Sequence, residues 1–255
     1  MKTIALVNQK GGVGKTTSAL AISAGLCKAG YKVLRVDADS QCDFSATLRA
    51  DVKARYTLYE LLRGECTTQQ AIQRTPYGDA VSASHKLASA DIWLTAKAKT
   101  SHLLCLQSAL KAVSDIYDIC VIDVPPALSM LSINALYAAD GLIIPVTADS
   151  LSYMAFENFM SDTVQSVKQD NKKLTVLGIL ITQYSNRTNI EKQFRKLFEN
   201  RAKELGTKVF KTAIRKGIAI RESIALQEAD IFQYAPNSNP VIDYAEVIKE
   251  LEEDL

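Results

Sequence analysis

A lysine and a run of glycines near the amino terminus carry the most specific chemistry in this chain. Lys10-Gly11-Gly12-Val13-Gly14-Lys15-Thr16-Thr17 lies between a short apolar run and a longer helical pattern. Glycines let the backbone curl so that successive N–H groups converge, and the first turn of the following helix adds partial positive charge. This is a loop built for phosphate. In such a loop Lys15 reaches the β- and γ-phosphates and the Thr16 hydroxyl ligates magnesium. An isolated glycine motif would be compatible with an empty turn, but the full order between strand and helix leaves little room for that reading.

Three carboxylates complement the loop. Asp37 and Asp39 follow the run Val33-Leu34-Arg35-Val36, and Asp123 closes Ile119-Cys120-Val121-Ile122, with Pro125-Pro126 just beyond. Each lies at the carboxyl end of a predicted strand, as the glycine loop does. In open parallel sheets that edge is where ligands bind. Asp37 reads equally well as a cap on its strand end.

Stepping outward, the elements that must hold these groups alternate between short β-rich runs and longer helical patterns, the mark of a parallel α/β fold. Strands are predicted at Ile4–Val7, Lys32–Val36, Ile119–Ile122, Leu142–Val146 and Leu174–Ile181, with a short one at Val209–Phe210. Helices are predicted at Thr16–Ala29 (closed by Gly30), Leu58–Leu62, Ser101–Ser114, Met154–Val167, Ile190–Leu205 and Ala245–Leu251. Pro76-Tyr77-Gly78 signals a turn. With no repeat and no Pro/Gly/Ser-rich linker, one domain over residues 1–255 is expected, a mostly parallel twisted sheet with helices on both faces.

Composition narrows the function. Lys plus Arg number 30 against 28 acidic residues, a net charge of +2, so nucleic acid cannot be held through bulk charge and any such contact must be a local patch. The five cysteines form no CxxC pair, and an odd count without a secretory signal fits a reducing cytosol. His85 and His102 stand alone, with no metal-ligand spacing. No run approaches the ~18 apolar residues of a membrane span. The expectation is a soluble cytoplasmic protein.

The loop has Gln9 where the general phosphate-loop pattern has its first glycine, and a lysine just ahead of the double glycine. In this it resembles the deviant Walker A ATPases, the family of ParA, MinD and Soj. The likeness extends to Asp37-Ala38-Asp39-Ser40-Gln41, to Asp123-Val124-Pro125-Pro126, to Ala138-Ala139-Asp140, to Gly178-Ile179-Leu180-Ile181-Thr182 with Asn186-Arg187-Thr188, and to Asp230-Ile231-Phe232-Gln233-Tyr234-Ala235-Pro236. The resemblance implies ATP bound by residues 10–17, with Lys10 reaching the nucleotide of a second subunit. It gives Asp39 the attacking water, Asp123 the water shell of Mg2+, and Pro125-Pro126 the second switch, with Asp37 beside the first. The chain departs from the family pattern at Ser40, Cys42 and Asp43, where a proline and a Gly-Asn pair are usual, and at Ala213-Ile214-Arg215, where an Ile-Pro step is usual.

The late segments resemble ParA and Soj more than the membrane-bound branch, because the chain ends in the acidic stretch Glu246–Leu255, which anionic lipid would repel. With the loop only ten residues in, no helix-turn-helix domain is expected ahead of it. The resemblance thus implies DNA partition: an ATP-bound homodimer binding nonspecific DNA, stimulated to hydrolyse ATP by a ParB-like partner, and nucleoid-associated while ATP-bound. Arg187, Arg215, Lys216 and Arg221 match the family's DNA-contacting surface. Two other readings stay open, a protein-positioning ATPase and an ATP-dependent enzyme of small-molecule metabolism.

Overall fold

A computed structural model describes residues 1–96, 103–185 and 187–255. The elements run β1 (Lys2–Leu6), α1 (Lys15–Lys28), β2 (Val33–Asp37), α2 (Asp43–Thr47), α3 (Leu58–Leu62), α4 (Thr68–Ala71), β3 (Ile72–Thr75) and β4 (Gly78–Val81). A 3-10 turn (His85–Ser89) leads into α5 (Ala90–Ala96), α6 (Cys105–Lys111), β5 (Ile119–Asp123), α7 (Met130–Ala138), β6 (Gly141–Thr147) and α8 (Ser150–Asn158). One π-helical stretch (Phe159–Val164) continues into α9 (Gln165–Asp170). Then come β7 (Thr175–Thr182), α10 (Asn189–Glu204), α11 (Ile218–Ala225), α12 (Ile231–Tyr234) and α13 (Asn239–Glu252).

All strands join one seven-stranded sheet in the order β3-β4-β2-β5-β1-β6-β7. Every pairing is parallel except β3 with β4. The strands read as unbroken apolar runs because both faces are covered. Ile4, Leu6, Val33 and Val121 meet Leu20 and Ile22 of α1 and Val247 of α13 on one side. Ala5, Leu34, Ile122 and Ile144 meet Leu110 of α6, Leu136 of α7 and Phe156 of α8 on the other. Gly25 lets α13 lie close on α1, since a Cβ there would stand 2.0 Å from Ile248 Cδ1.

The predicted α/β sandwich is the observed one. Differences are local. The helix predicted over 101–114 is seen as Cys105–Lys111, and residues 97–102, His102 among them, lie outside the described set. Asn186 lies outside it as well. The helix predicted at Met154–Val167 begins at Ser150 and carries the π turn. Val209 forms a single parallel bridge with Ile179 instead of a strand, and Arg215 a second with Tyr184. Residues 208–215 therefore run beside β7, with Phe210 N–H donating to the Ile179 carbonyl (3.0 Å) and Ile214 N–H to that of Ile181 (2.8 Å). The last helix starts earlier than predicted, at Asn239, because Pro240 suits a first turn.

Candidate active site

The carboxyl ends of the parallel strands bring the predicted site together. β1 feeds the glycine loop, β2 ends at Asp37, β5 at Asp123, β6 at Thr147 and β7 at Thr182. Leu6 and Asp37 both pair in register with Asp123, so the loop's strand and the two carboxylate-bearing strands are direct neighbours.

Gly12 and Gly14 hold φ of +75° and +85°, the left-handed region where only glycine is unstrained. Gly14 is also the N-cap of α1 and brings no side chain to it, so the first N–H groups of the helix stay open to a ligand. The loop is clamped from β7. The Thr182 hydroxyl donates to the Val13 carbonyl (2.7 Å), and the Gln183 amide donates to that of Gly12 (2.6 Å). From the other side Asn8 donates to the Pro145 carbonyl (2.7 Å) and accepts from the Lys10 N–H (2.9 Å).

The two lysines are held differently. Lys15 is buried, and its ammonium bonds the Lys10 carbonyl at 3.4 Å. Burial lowers its pKa, against the opposing pull of Asp123 and Asp39. Lys10 Nζ instead pairs with Asp149 at 2.8 Å and 3.0 Å and with the Thr147 hydroxyl at 3.2 Å. Asp149 also caps α8 through the Ser152 N–H (2.9 Å).

Asp123 is buried, and one carboxylate oxygen, Oδ1, has no hydrogen-bond partner. Burial first, and then the Asp37 charge, raise its pKa well above the usual carboxylate range, while the Thr16 hydroxyl bond and Lys15 act against this. Asp37 is buried as well and accepts from the Ser45 hydroxyl (2.6 Å), the Ser45 N–H (2.8 Å) and the Asp39 N–H (3.0 Å). Burial pushes it up to about 6 despite those bonds. Its lone pairs tie β2 to α2, so it anchors the segment between them. Asp39 is only half-buried, and its Oδ1 accepts from the Gln41 N–H (2.9 Å).

An orphaned buried carboxylate oxygen beside a threonine hydroxyl and a second acid is a donor set of hard oxygens, the kind that suits magnesium. Magnesium in phosphate-loop proteins keeps several waters and takes its remaining ligands from the phosphates. The residues present fit that group. Among the described residues no cluster of three His, Cys, Asp or Glu could cage a metal alone.

A cleft of about 790 Å³ opens over the loop, bordered by Lys15, Thr16, Asp39, Pro126 and, across from them, Ile214 and Tyr244. Arg215, Lys216 and Arg221 reach the same cleft, whereas Arg187 stands exposed beyond β7. Arg215 is not a free cation. Asp243 accepts from its Nη2 (2.7 Å), its Nε (2.9 Å) and its backbone N–H (2.9 Å). Pro125 is half-buried just past Asp123.

Cys42 holds φ of +63° at the N-cap of α2. The loop keeps the turn that glycine would make there, at a cost of about 1 kcal/mol for a side chain in the left-handed region. The clamps from Thr182 and Gln183, and the Asp149 pair, were not foreseen from sequence. Asp149 had one local signal, an acidic residue directly before a helical run.

Known proteins are similar to this chain in sequence and in fold. A family model described as an AAA domain matches residues 1–176. The sporulation initiation inhibitor protein Soj of Bacillus subtilis is 35% identical over 98% of both chains. The chromosome-partitioning ATPase Soj of Thermus thermophilus is 36% identical over 98% of this chain and 95% of its own. Among solved structures, cobyrinic acid a,c-diamide synthase from Mycobacterium smegmatis, with bound ATP analog and magnesium, superposes with a TM-score of 0.78 at 30% identity, covering 94% of this chain and 98% of that one. Similar along nearly its whole length to Soj, with the phosphate loop and Asp39 bordering one cleft, the chain belongs to the ParA/Soj family of chromosome-partitioning ATPases.

Proposed function

We propose that this chain is a magnesium-dependent ATPase that partitions DNA. Two ATP-bound subunits close face to face, the pair binds DNA without sequence preference, and a ParB-like partner stimulates hydrolysis and release. The observation that carries the reading is the convergence of an uncapped α1 terminus, Lys15, Thr16 and Asp39 on one cleft, with Asp123 buried against Thr16 and Lys10 paired with Asp149.

In this reading residues 10–17 bind the phosphates, and Lys15 offsets charge on the β- and γ-groups. Thr16 and Asp123 hold the magnesium shell, with Asp39 alongside. Bound with ATP, magnesium neutralises charge growing on the phosphate oxygens. Asp39 orients the attacking water, and Asp37 fixes the segment that carries it. Lys10 leaves Asp149 to meet the nucleotide of the other subunit and steadies the transition state there, as an arginine finger does. Pro125 and Pro126 stiffen the second switch. Arg187, Lys216 and Arg221 supply cations for DNA phosphate. We place the protein in the cytoplasm, on the nucleoid while ATP-bound and off the membrane; among the described residues no helix is long and apolar enough to cross one.

Sedimentation velocity in Mg-ADP and Mg-ATP, on wild type and Asp39→Ala and with long nonspecific duplex, tests the scheme. An ATP-specific dimer that binds DNA and accumulates in Asp39→Ala is expected. A monomer in ATP would overturn the face-to-face pair and favour small-molecule chemistry, the direction suggested by the diamide synthase name. A dimer indifferent to DNA would point to protein positioning.

A further inference from the structure

His85, isolated in the sequence, is brought by the fold to the segment that carries Asp39. Its Nδ1 stands 3.0 Å from the Ser40 carbonyl oxygen. A carbonyl only accepts, so Nδ1 carries the hydrogen, as it does both in one neutral tautomer and in the imidazolium. Ser40 and Gln41 are the central residues of a tight turn, closed by the Cys42 N–H donating to the Asp39 carbonyl (3.0 Å). The peptide that joins them is planar and trans, so its carbonyl and its N–H point to opposite edges. The carbonyl takes the bond from His85, while the N–H, that of Gln41, donates to Asp39 Oδ1 at 2.9 Å. This is the one hydrogen bond that the Asp39 carboxylate accepts among the described residues. Rotating the peptide plane would break both bonds at once, so its orientation links the imidazole to the carboxylate.

The backbone under His85 is fixed without help from the ring. Val81 of β4 pairs in register with Val36 of β2. Just beyond them the Ala83 N–H donates to the Ser45 hydroxyl (2.9 Å), which itself donates to Asp37 (2.6 Å). On the other side of His85, Lys86 pairs with Glu60 at 2.8 Å and Leu87 is buried. His85 itself is exposed, so its bond to Ser40 orients a peptide and adds little to the core. The Cys42 thiol gives the same carbonyl a second, weaker bond at 3.4 Å.

We propose that His85 is a positioning residue for ATP hydrolysis: by holding the Ser40 carbonyl it fixes the Ser40–Gln41 peptide, and through the Gln41 N–H it aims the Asp39 carboxylate at the attacking water. This role rests on Asp39 as the residue that orients the water. Asp39 borders the nucleotide cleft and His85 does not, so loss of the imidazole acts on turnover and leaves ATP binding alone.

The test is ATP hydrolysis in Mg2+ with nonspecific duplex, alongside affinity for a fluorescent ATP analogue, on His85→Ala, His85→Asn and His85→Gln. The amide nitrogen of asparagine falls where the imidazole has Nδ1, whereas that of glutamine falls where it has Nε2. For His85→Ala and His85→Gln, kcat should drop roughly three- to ten-fold, the shift in population that one net hydrogen bond controls, with nucleotide affinity unchanged. His85→Asn keeps the donor and should stay within about two-fold of wild type. The proposal is overturned if His85→Ala turns over as wild type does, if His85→Gln restores kcat as well as His85→Asn, or if the loss lies in affinity. Asp39→Ala separates this role from the assignment beneath it. An Asp39→Ala variant as active as wild type removes the water assignment and this role with it, while an inactive Asp39→Ala beside a fully active His85→Ala removes this role alone.

Discussion

Salt dependence offers the sharpest test of where DNA would be held. Of the four cations matched to the DNA-contacting surface, Arg215 already gives its guanidinium to Asp243, and among the described residues Arg187, Lys216 and Arg221 have no such ion pair. That leaves three available cations on each subunit, or six in a pair. Each phosphate neutralised on duplex DNA contributes about −0.9 to the slope of log K against log salt, so six give a slope of about −5 and roughly a thousand-fold loss of affinity between about 50 and 200 mM salt. Arg221→Ala removes two contacts per pair, which brings the slope to about −4 and the loss to roughly a hundred-fold. Arg215→Ala should leave the slope where it was. The assay is fluorescence anisotropy of a labelled nonspecific duplex in Mg-ATP, with Asp39→Ala as background to hold the ATP state. A slope near zero in the parent protein, or an Arg215→Ala variant that flattens it as much as Arg221→Ala, would refute the assignment. A glutamate at position 215 would be a poor substitute, because it would set a second carboxylate against the buried Asp243.

Two further outcomes concern stability. In Gly178→Ala the new Cβ would lie 2.7 Å from Phe210 Cε2 and 3.0 Å from Cδ2, on a ring that is itself buried. Overpacking of that kind costs about 1–3 kcal/mol, so melting should fall by about 3–10 °C, and an unchanged melting temperature would mean that 208–215 shifts freely. Glu60 closes a capping box with Thr57 and pairs with Lys86 at 2.8 Å. Burial would raise its pKa, but the bonds from Lys86 and Thr57 outweigh burial and hold it below the ordinary 4.5. Its contribution is therefore present above that value and disappears as pH falls through the lower folded one. Urea unfolding of wild type against Glu60→Gln should differ by about 1 kcal/mol at neutral pH and converge in acid; a difference that persists in acid would contradict the assignment.

What could be read from sequence was whatever is encoded locally. The glycine loop carries its own conformational signature, and a continuous apolar run ending in an aspartate shows both a buried strand and its active edge. The antiparallel β3–β4 pair escaped because Ile72-Gln73-Arg74-Thr75 is too polar to alternate; only its turn at Pro76-Tyr77-Gly78 was visible. Helix α7 is nearly all buried and lacks a polar face to reveal its period, and α11 starts at an exposed Ile218. The π turn at Phe159–Val164 interrupts a run that reads as one helix, since its register depends on packing. Contacts such as Thr182 to Val13 or Lys10 to Asp149 join residues more than a hundred positions apart and leave no mark on local spacing. The partners of Asp37 and Arg215, Ser45 and Asp243, stand only 8 and 28 positions away, yet no local pattern announces either contact.

The strip 208–215 beside β7 has a bearing on solubility as well as on the cleft. It bonds to the outer side of an edge strand, β7, whose Ile179, Leu180 and Ile181 would otherwise present an open ladder of donors and acceptors. The opposite margin needs less protection, since β3 is four residues long and carries the exposed Arg74. Bare edges of the first kind invite strand addition between molecules. Because Ile214 and Arg215 belong both to that strip and to the wall of the cleft, occupancy of the cleft and protection against aggregation are tied to the same few residues. A substitution that detaches 208–215 from β7 should therefore both reshape the cleft and promote precipitation on storage.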